Sequence, residues 1–136
     1  MYPESIVNPM KSELTSVGFE ECTTPEAVDS ALKTKGTVLM VVNSVCGCAA
    51  GAARPGIKIS LQHDKKPTKL TTVFAGFDID AVNEARKHFS PYPPSSPAIA
   101  LFKDGELVHF VERHNIEGRS AQMIGEHLKM VYDEFC

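Results

Sequence analysis

The chain contains no tryptophan and no long hydrophobic run. A membrane-spanning helix needs roughly 18 or more nearly uninterrupted apolar residues, so a transmembrane protein is not expected. Positive charge is not in excess either. Lys and Arg number 14 against 17 Asp and Glu, the net charge is −3, and the basic residues are scattered. That leaves no electrostatic footprint for nucleic acid and points to protein or small-molecule partners. Residues Met1 to Met10 lack the basic stretch and apolar core of a secretory leader. The terminal Asp133-Glu134-Phe135-Cys136 lacks the cysteine fourth from the end that prenylation requires. A cytoplasmic protein without a membrane anchor is the expectation. Cysteine is sparse, at four residues in 136. A chain of this length folds as one domain, 1–136, without staples, and in a reducing compartment its cysteines are catalytic, metal-binding or simply buried.

Local signals divide the chain into alternating helices and strands. Pro9 to Val17 places Met10, Leu14 and Val17 on one stripe, with Gly18 where a helix stops. Phe19 to Cys22 has the length of a strand. Thr24 as N-cap, Pro25 at the first helical position and Glu26 in the first turn open a helix that runs to about Lys35 and ends at Gly36. Val38 to Val42 is continuously apolar, the pattern of a central strand covered on both faces. The stretch from Cys48 to Gln62 predicts a helix that Pro55 bends, unless the helix begins only at Arg54 or Pro55. Thr71 to Gly76 reads as a strand, Asp80 to Phe89 as a helix and Ser90 to Pro97 as a proline-rich loop. Ala98 to Phe102 and Leu107 to Val111 form a hairpin across Lys103-Asp104-Gly105-Glu106. A last helix, Ser120 to Tyr132, turns Met123, Ile124, Leu128 and Val131 inward. This order predicts an α/β fold, a central mixed sheet flanked by helices. It resembles the thioredoxin-like fold with an extra N-terminal helix.

Cys46-Gly47-Cys48 follows the apolar strand directly. A cysteine where a buried strand passes into a helix points its sulfur at unpaired backbone N–H groups and the positive end of the helix dipole, which stabilises the thiolate. Residues two apart point to opposite sides of a helix, so Cys46 belongs at the cap, outside the regular turns. A disulfide across one residue closes a small, strained ring, for which Gly47 supplies backbone freedom. The pair therefore reads as an electron acceptor, or as a single nucleophile, Cys46, with Cys48 as an auxiliary resolving thiol.

Three other readings compete. Cysteine is often merely a small buried residue, although a buried pair needs neither an intervening glycine nor a strand-to-helix junction. A zinc or copper site would require Cys22 or Cys136 to converge on the pair, because no histidine is close in sequence. Finally, Cys48 and Arg54 have the spacing of the phosphatase and arsenate reductase loop, in which N–H groups and an arginine cradle an oxyanion. Pro55 replaces the usual Ser or Thr of that loop. Arg54 in this chain reads equally as a source of positive charge or as an exposed, salt-bridged side chain.

Asn43 to Pro55, with Pro9-Met10 and Gly18 to Glu21, closely resembles the bacilliredoxins, and the likeness extends over nearly the whole chain. That resemblance implies a thiol–disulfide oxidoreductase that removes bacillithiol from S-bacillithiolated client proteins, transferring the adduct to Cys46. It implies bacillithiol as thiol co-substrate, its reductase system as a partner, and no bound cofactor or metal. The alternative is a disulfide isomerase or reductase that uses the Cys46–Cys48 pair. Pro97 resembles the cis-proline that thioredoxins hold beside the active cysteine, which makes Gly47, Ser96 and Pro97 the expected substrate-binding residues. Val45 stands where thioredoxins have tryptophan, and Met40 where they have a buried acid. Single-cysteine exchange therefore fits better than a fast dithiol cycle.

Overall fold

A computed structural model describes residues 1–136. Five strands form one mixed sheet in the order β1-β3-β2-β4-β5. They are β1 (Glu20–Glu21), β2 (Thr37–Asn43), β3 (Lys69–Phe74), β4 (Ala98–Lys103) and β5 (Glu106–Val111). The helices are α1 (Glu4–Thr15), α2 (Pro25–Leu32), α3 (Arg54–Ser60), α4 (Ile79–Lys87), α5 (Arg113–Ile116) and α6 (Ala121–Phe135). Strand β2 is central and runs parallel to β3 and antiparallel to β4. All seven of its residues are buried. Side chains alternate across a strand, so Val38, Met40 and Val42 enter the core beneath α2 and α4, while Leu39 and Val41 enter the one beneath α3 and α6. The α/β sheet flanked by helices is thus the arrangement expected, with α1 as the additional N-terminal helix.

Several termini form by the chemistry their residues dictate. Thr24 Oγ1 accepts from the Ala27 N–H at 3.1 Å and Ser120 Oγ from the Met123 N–H at 3.1 Å. The Asp104-Gly105 turn has positive φ at both residues, 50° and 86°, the geometry that keeps a two-residue hairpin in register with twisted strands.

Four expectations need correction. Helix α1 starts at Glu4 and carries Pro9 inside it, burying Val7 and Leu14 while Val17 is exposed. Met123 faces solvent, because the buried stripe of α6 is Ile124, Leu128, Val131 and Tyr132. α5 has only four residues, too few to leave a periodic signal. The helix after the cysteines is not delayed to Arg54 or Pro55. Helical residues run from Gly47 to Ser60, and Ala49–Ala53 widen into a π-helical turn directly before Arg54-Pro55. Such a turn changes the hydrogen-bond register and so accommodates a residue that has no N–H to donate.

Helices α3 and α6 pack closely through facing glycines. A Cβ on Gly56 would lie 2.6 Å from Ile124 Cβ and 2.9 Å from the Ala121 carbonyl, and one on Gly125 would lie 2.6 Å from Ile59 Cγ2. A Gly56→Ala variant is expected to lose about 1–3 kcal/mol through overpacking, although alanine is the better helix former. Urea unfolding measures it. An unchanged midpoint would show that the two helices separate freely.

Candidate active site

The sheet register collects the site at one end of the molecule. Val42 of β2 pairs with Ala98 of β4, and Ile99 pairs with Val111 of β5. The Ser44–Cys46 loop after β2, the Ser96–Pro97 bond before β4 and the start of α5 therefore share one end of the sheet. Ser96–Pro97 is cis, as is Ser90–Pro91. Pro97 is buried, Ser96 half-buried and Gly47 exposed.

Cys46 stands at the cap. Its carbonyl accepts from the Ala49 and Ala50 N–H groups at 3.0 and 3.2 Å, which starts the helix, and its own N–H donates to Ser44 Oγ at 3.2 Å. Burial alone would raise the Cys46 pKa. The Cys48 thiol, the N–H groups of Ala49 and Cys48 and the Ser44 hydroxyl outweigh it by bonding the sulfur, so the net shift is downward. Cys48 shifts upward, through burial and through donating to a neighbour that carries the charge. Cys46 is thus the more readily ionised of the two thiols, and Cys48 is its hydrogen-bond donor.

The exchange rate should therefore rise with pH and level off as Cys46 ionises. Its midpoint is expected below the ordinary cysteine value of about 8.5. Thiolate absorbance of a variant keeping only Cys46 gives an independent titration, without the Cys48 contribution. A midpoint at or above about 8.5 in the intact pair would remove the electrostatic basis of the asymmetry.

Below the cysteine loop lies a polar junction. Asn43 is 1% exposed, its Nδ2 donates to the Met10 carbonyl at 3.2 Å, and its Oδ1 accepts from the Ser44 N–H at 2.8 Å. Arg54 is also 1% exposed, and its Nη1 donates to Asn43 Oδ1 at 2.9 Å and to the Ser44 carbonyl at 2.7 Å. Glu13 of α1 lies 3.2 Å from Arg54 Nε, an ion pair whose angle falls short of a hydrogen bond. Arg54 is therefore not an exposed arginine. It ties α3 and α1 to the loop that presents Cys46.

The phosphatase-like spacing of Cys48 and Arg54 is corrected by the same contacts. Its N–H groups would have to surround an anion, but the segment is helical, with its first N–H groups bonded to the Cys46 carbonyl. The arginine is turned into the protein interior. Cys22 is buried in the core beneath α2, where desolvation pushes its thiol up to about 11. Cys136, after α6, lies with Thr37 and Lys103 at the opposite end of the sheet, so neither residue joins the pair.

Sequence reasoning did not single out Asn43, Ser44 or Arg113. The first two carried a signal, being polar residues that interrupt an apolar strand just before the cysteine. Arg113 carried none, because only strand pairing brings it to this end of the sheet. A cavity of about 200 Å³ between β5 and α6 is lined by His109, His127 and Arg119 among others and by no cysteine.

The disulphide isomerase family model matches residues 2–136. A bacilliredoxin of Cytophaga hutchinsonii is 68% identical over 134 residues, covering 98% of this chain and 99% of that protein. The chain belongs to the bacilliredoxin family. A bacilliredoxin of Koribacter versatilis is 50% identical over 137 residues, spanning this whole chain and 94% of that protein. Among solved structures, a putative oxidoreductase with a thioredoxin fold superimposes with a TM-score of 0.62 at 16% identity, covering 74% of this chain and 88% of that one. Oxidised mitochondrial thioredoxin 3 of Saccharomyces cerevisiae gives 0.61 at 14% identity, over 90% and 99%. These two likenesses establish the thioredoxin fold. Fold and membership together make this bacilliredoxin-family protein a thiol–disulfide oxidoreductase. No helix is long and apolar enough to cross a membrane.

Proposed function

We propose that the protein removes bacillithiol from S-bacillithiolated client proteins by single-cysteine exchange. The Cys46 thiolate attacks the bacillithiol sulfur of the mixed disulfide. The client sulfur leaves with the bonding electron pair as a thiolate and takes a proton from solvent, while Cys46 now carries the adduct. A second bacillithiol thiolate then attacks the bacillithiol sulfur of that adduct, giving bacillithiol disulfide and restoring the Cys46 thiolate. Cys48 offers the alternative resolution, in which its thiolate attacks Cys46 and releases bacillithiol, at the cost of a strained ring.

The observation that carries this reading is the opposed shift of the two thiols, Cys46 downward and Cys48 upward. A resolving thiol that is mostly protonated attacks slowly, which leaves time for an external thiol. The named small thiol comes from the relatives' name. In this reading Gly47, Ser96 and Pro97 border the docked substrate, and the partners are client proteins, bacillithiol and its reductase system. Bacillithiol is consumed as a co-substrate, no cofactor or metal is held, and a reducing cytoplasm keeps all four thiols free. The second reading, an isomerase using the Cys46–Cys48 pair, is favoured by the description of the matching family.

Reduced protein offered a bacillithiolated protein, a scrambled-disulfide protein and an aryl phosphate in parallel separates these readings. Release of bacillithiol without reshuffling is the expected result. Reshuffling alone would select the isomerase, and phosphate release would overturn the assignment of Cys46.

A further inference from the structure

Arg113 is brought to the cysteine end of the sheet by the fold. β5 ends at Val111 beside Ile99, so α5 begins next to the Ser96–Pro97 bond at the sheet end that carries Cys46. Its N–H donates to Ser95 Oγ at 3.3 Å, its Nη1 donates to the Ser96 carbonyl at 3.3 Å, and its Nε donates to Glu117 at 2.6 Å. These contacts occupy the Nε–H and one N–H of Nη1. Nη2 makes no hydrogen bond to the protein, and the side chain is 47% exposed. Its charge acts on both Cys46 and Cys48, and that of Glu117 acts on Cys48 in the opposite sense.

A solvent-exposed charge partly offset by a bound carboxylate is a weak stabiliser of a thiolate, because water and salt screen it. A guanidinium held at Nε and Nη1, with Nη2 unengaged, is well suited to something else. Its remaining N–H groups form a flat fork that matches a carboxylate in a bidentate pair. We propose that Arg113 docks a carboxylate on the small-thiol half of the mixed disulfide, so that the site selects anionic low-molecular-weight thiols. This rests on the exchange reading above. Glu117 sets the plane of the fork, and the Ser96 carbonyl fixes its height beside the backbone along which the substrate lies.

The test uses one client protein with a single cysteine, blocked in turn by 3-mercaptopropionate, 2-mercaptoethanol and cysteamine. These adducts are anionic, neutral and cationic. Client thiol release is measured for wild type, Arg113→Gln and Arg113→Lys, each rate being divided by that with dithiothreitol to remove differences in intrinsic reactivity. Wild type is expected to favour the carboxylate adduct over the neutral one by about tenfold, with the cationic adduct slowest. In Arg113→Gln the ratio should fall close to one, and Arg113→Lys should keep only part of it. The same Cys46 attacks all three adducts, so a change in its thiolate fraction cancels in the ratio. A wild-type ratio near one, or an unchanged preference in Arg113→Gln, overturns the inference and leaves the exchange reading standing. No release from any adduct overturns the exchange reading and this inference with it.

Discussion

Serine in place of Cys46 brings release of a small-thiol adduct down to the uncatalysed rate, whereas serine in place of Cys48 leaves the first transfer running and traps the adduct on Cys46. A hydroxyl is not ionised near neutral pH and cannot replace the thiolate that attacks sulfur. Cys48→Ser removes the resolving thiol but keeps a hydroxyl that can donate to the Cys46 sulfur, so the Cys46 pKa should stay depressed. The N–H groups of Cys48 and Ala49 are unaffected, because they belong to the backbone. Mass spectrometry after mixing with a blocked client locates the adduct. Transfer retained by Cys46→Ser and lost by Cys48→Ser would reverse the roles assigned here.

Replacing Arg54 by methionine lowers stability by about 3 kcal/mol and slows exchange. Methionine refills most of the volume, so the loss is chiefly electrostatic and polar. The Ser44 carbonyl and Asn43 Oδ1 lose a charged donor inside the protein, and a buried acceptor left without its partner costs about 1–3 kcal/mol. Glu13 is 38% exposed and rehydrates, so its ion pair is the smaller part, and Glu13→Gln should cost less than about 1 kcal/mol. Urea unfolding of both variants checks the order. If Arg54→Met keeps full stability and rate, the junction beneath the loop does not set the position of Cys46.

The central strand, the Asp104-Gly105 hairpin and the cap at Thr24 were legible because each depends on neighbours in sequence. An uninterrupted apolar run, a turn needing positive φ and a hydroxyl three residues before an N–H are local facts. The start of α1 was misread for the opposite reason. Pro9 is a common first helical residue, but here Pro3 precedes the helix and Val7 finds a buried place only through tertiary packing. The same holds for Met123, which shares a helical face with Ile124 by pattern alone. The close contact of α6 with α3 through Gly125 and Gly56 decides which of the two is buried.

For the site, sequence alone supplied the candidate reacting group: two thiols one residue apart, with a glycine between them, at the end of a buried strand. It did not determine what surrounds that group. Arg54 was equally readable as a source of positive charge or as an exposed, salt-bridged side chain, and Arg113 had no marking at all. Tertiary structure decided both. The direction of a long side chain depends on which carbonyls and carboxylates the sheet register and helix packing bring near it. Those partners, Asn43, Ser44 and Glu13 for Arg54, and Ser96 and Glu117 for Arg113, assemble around the arginines only when the chain folds.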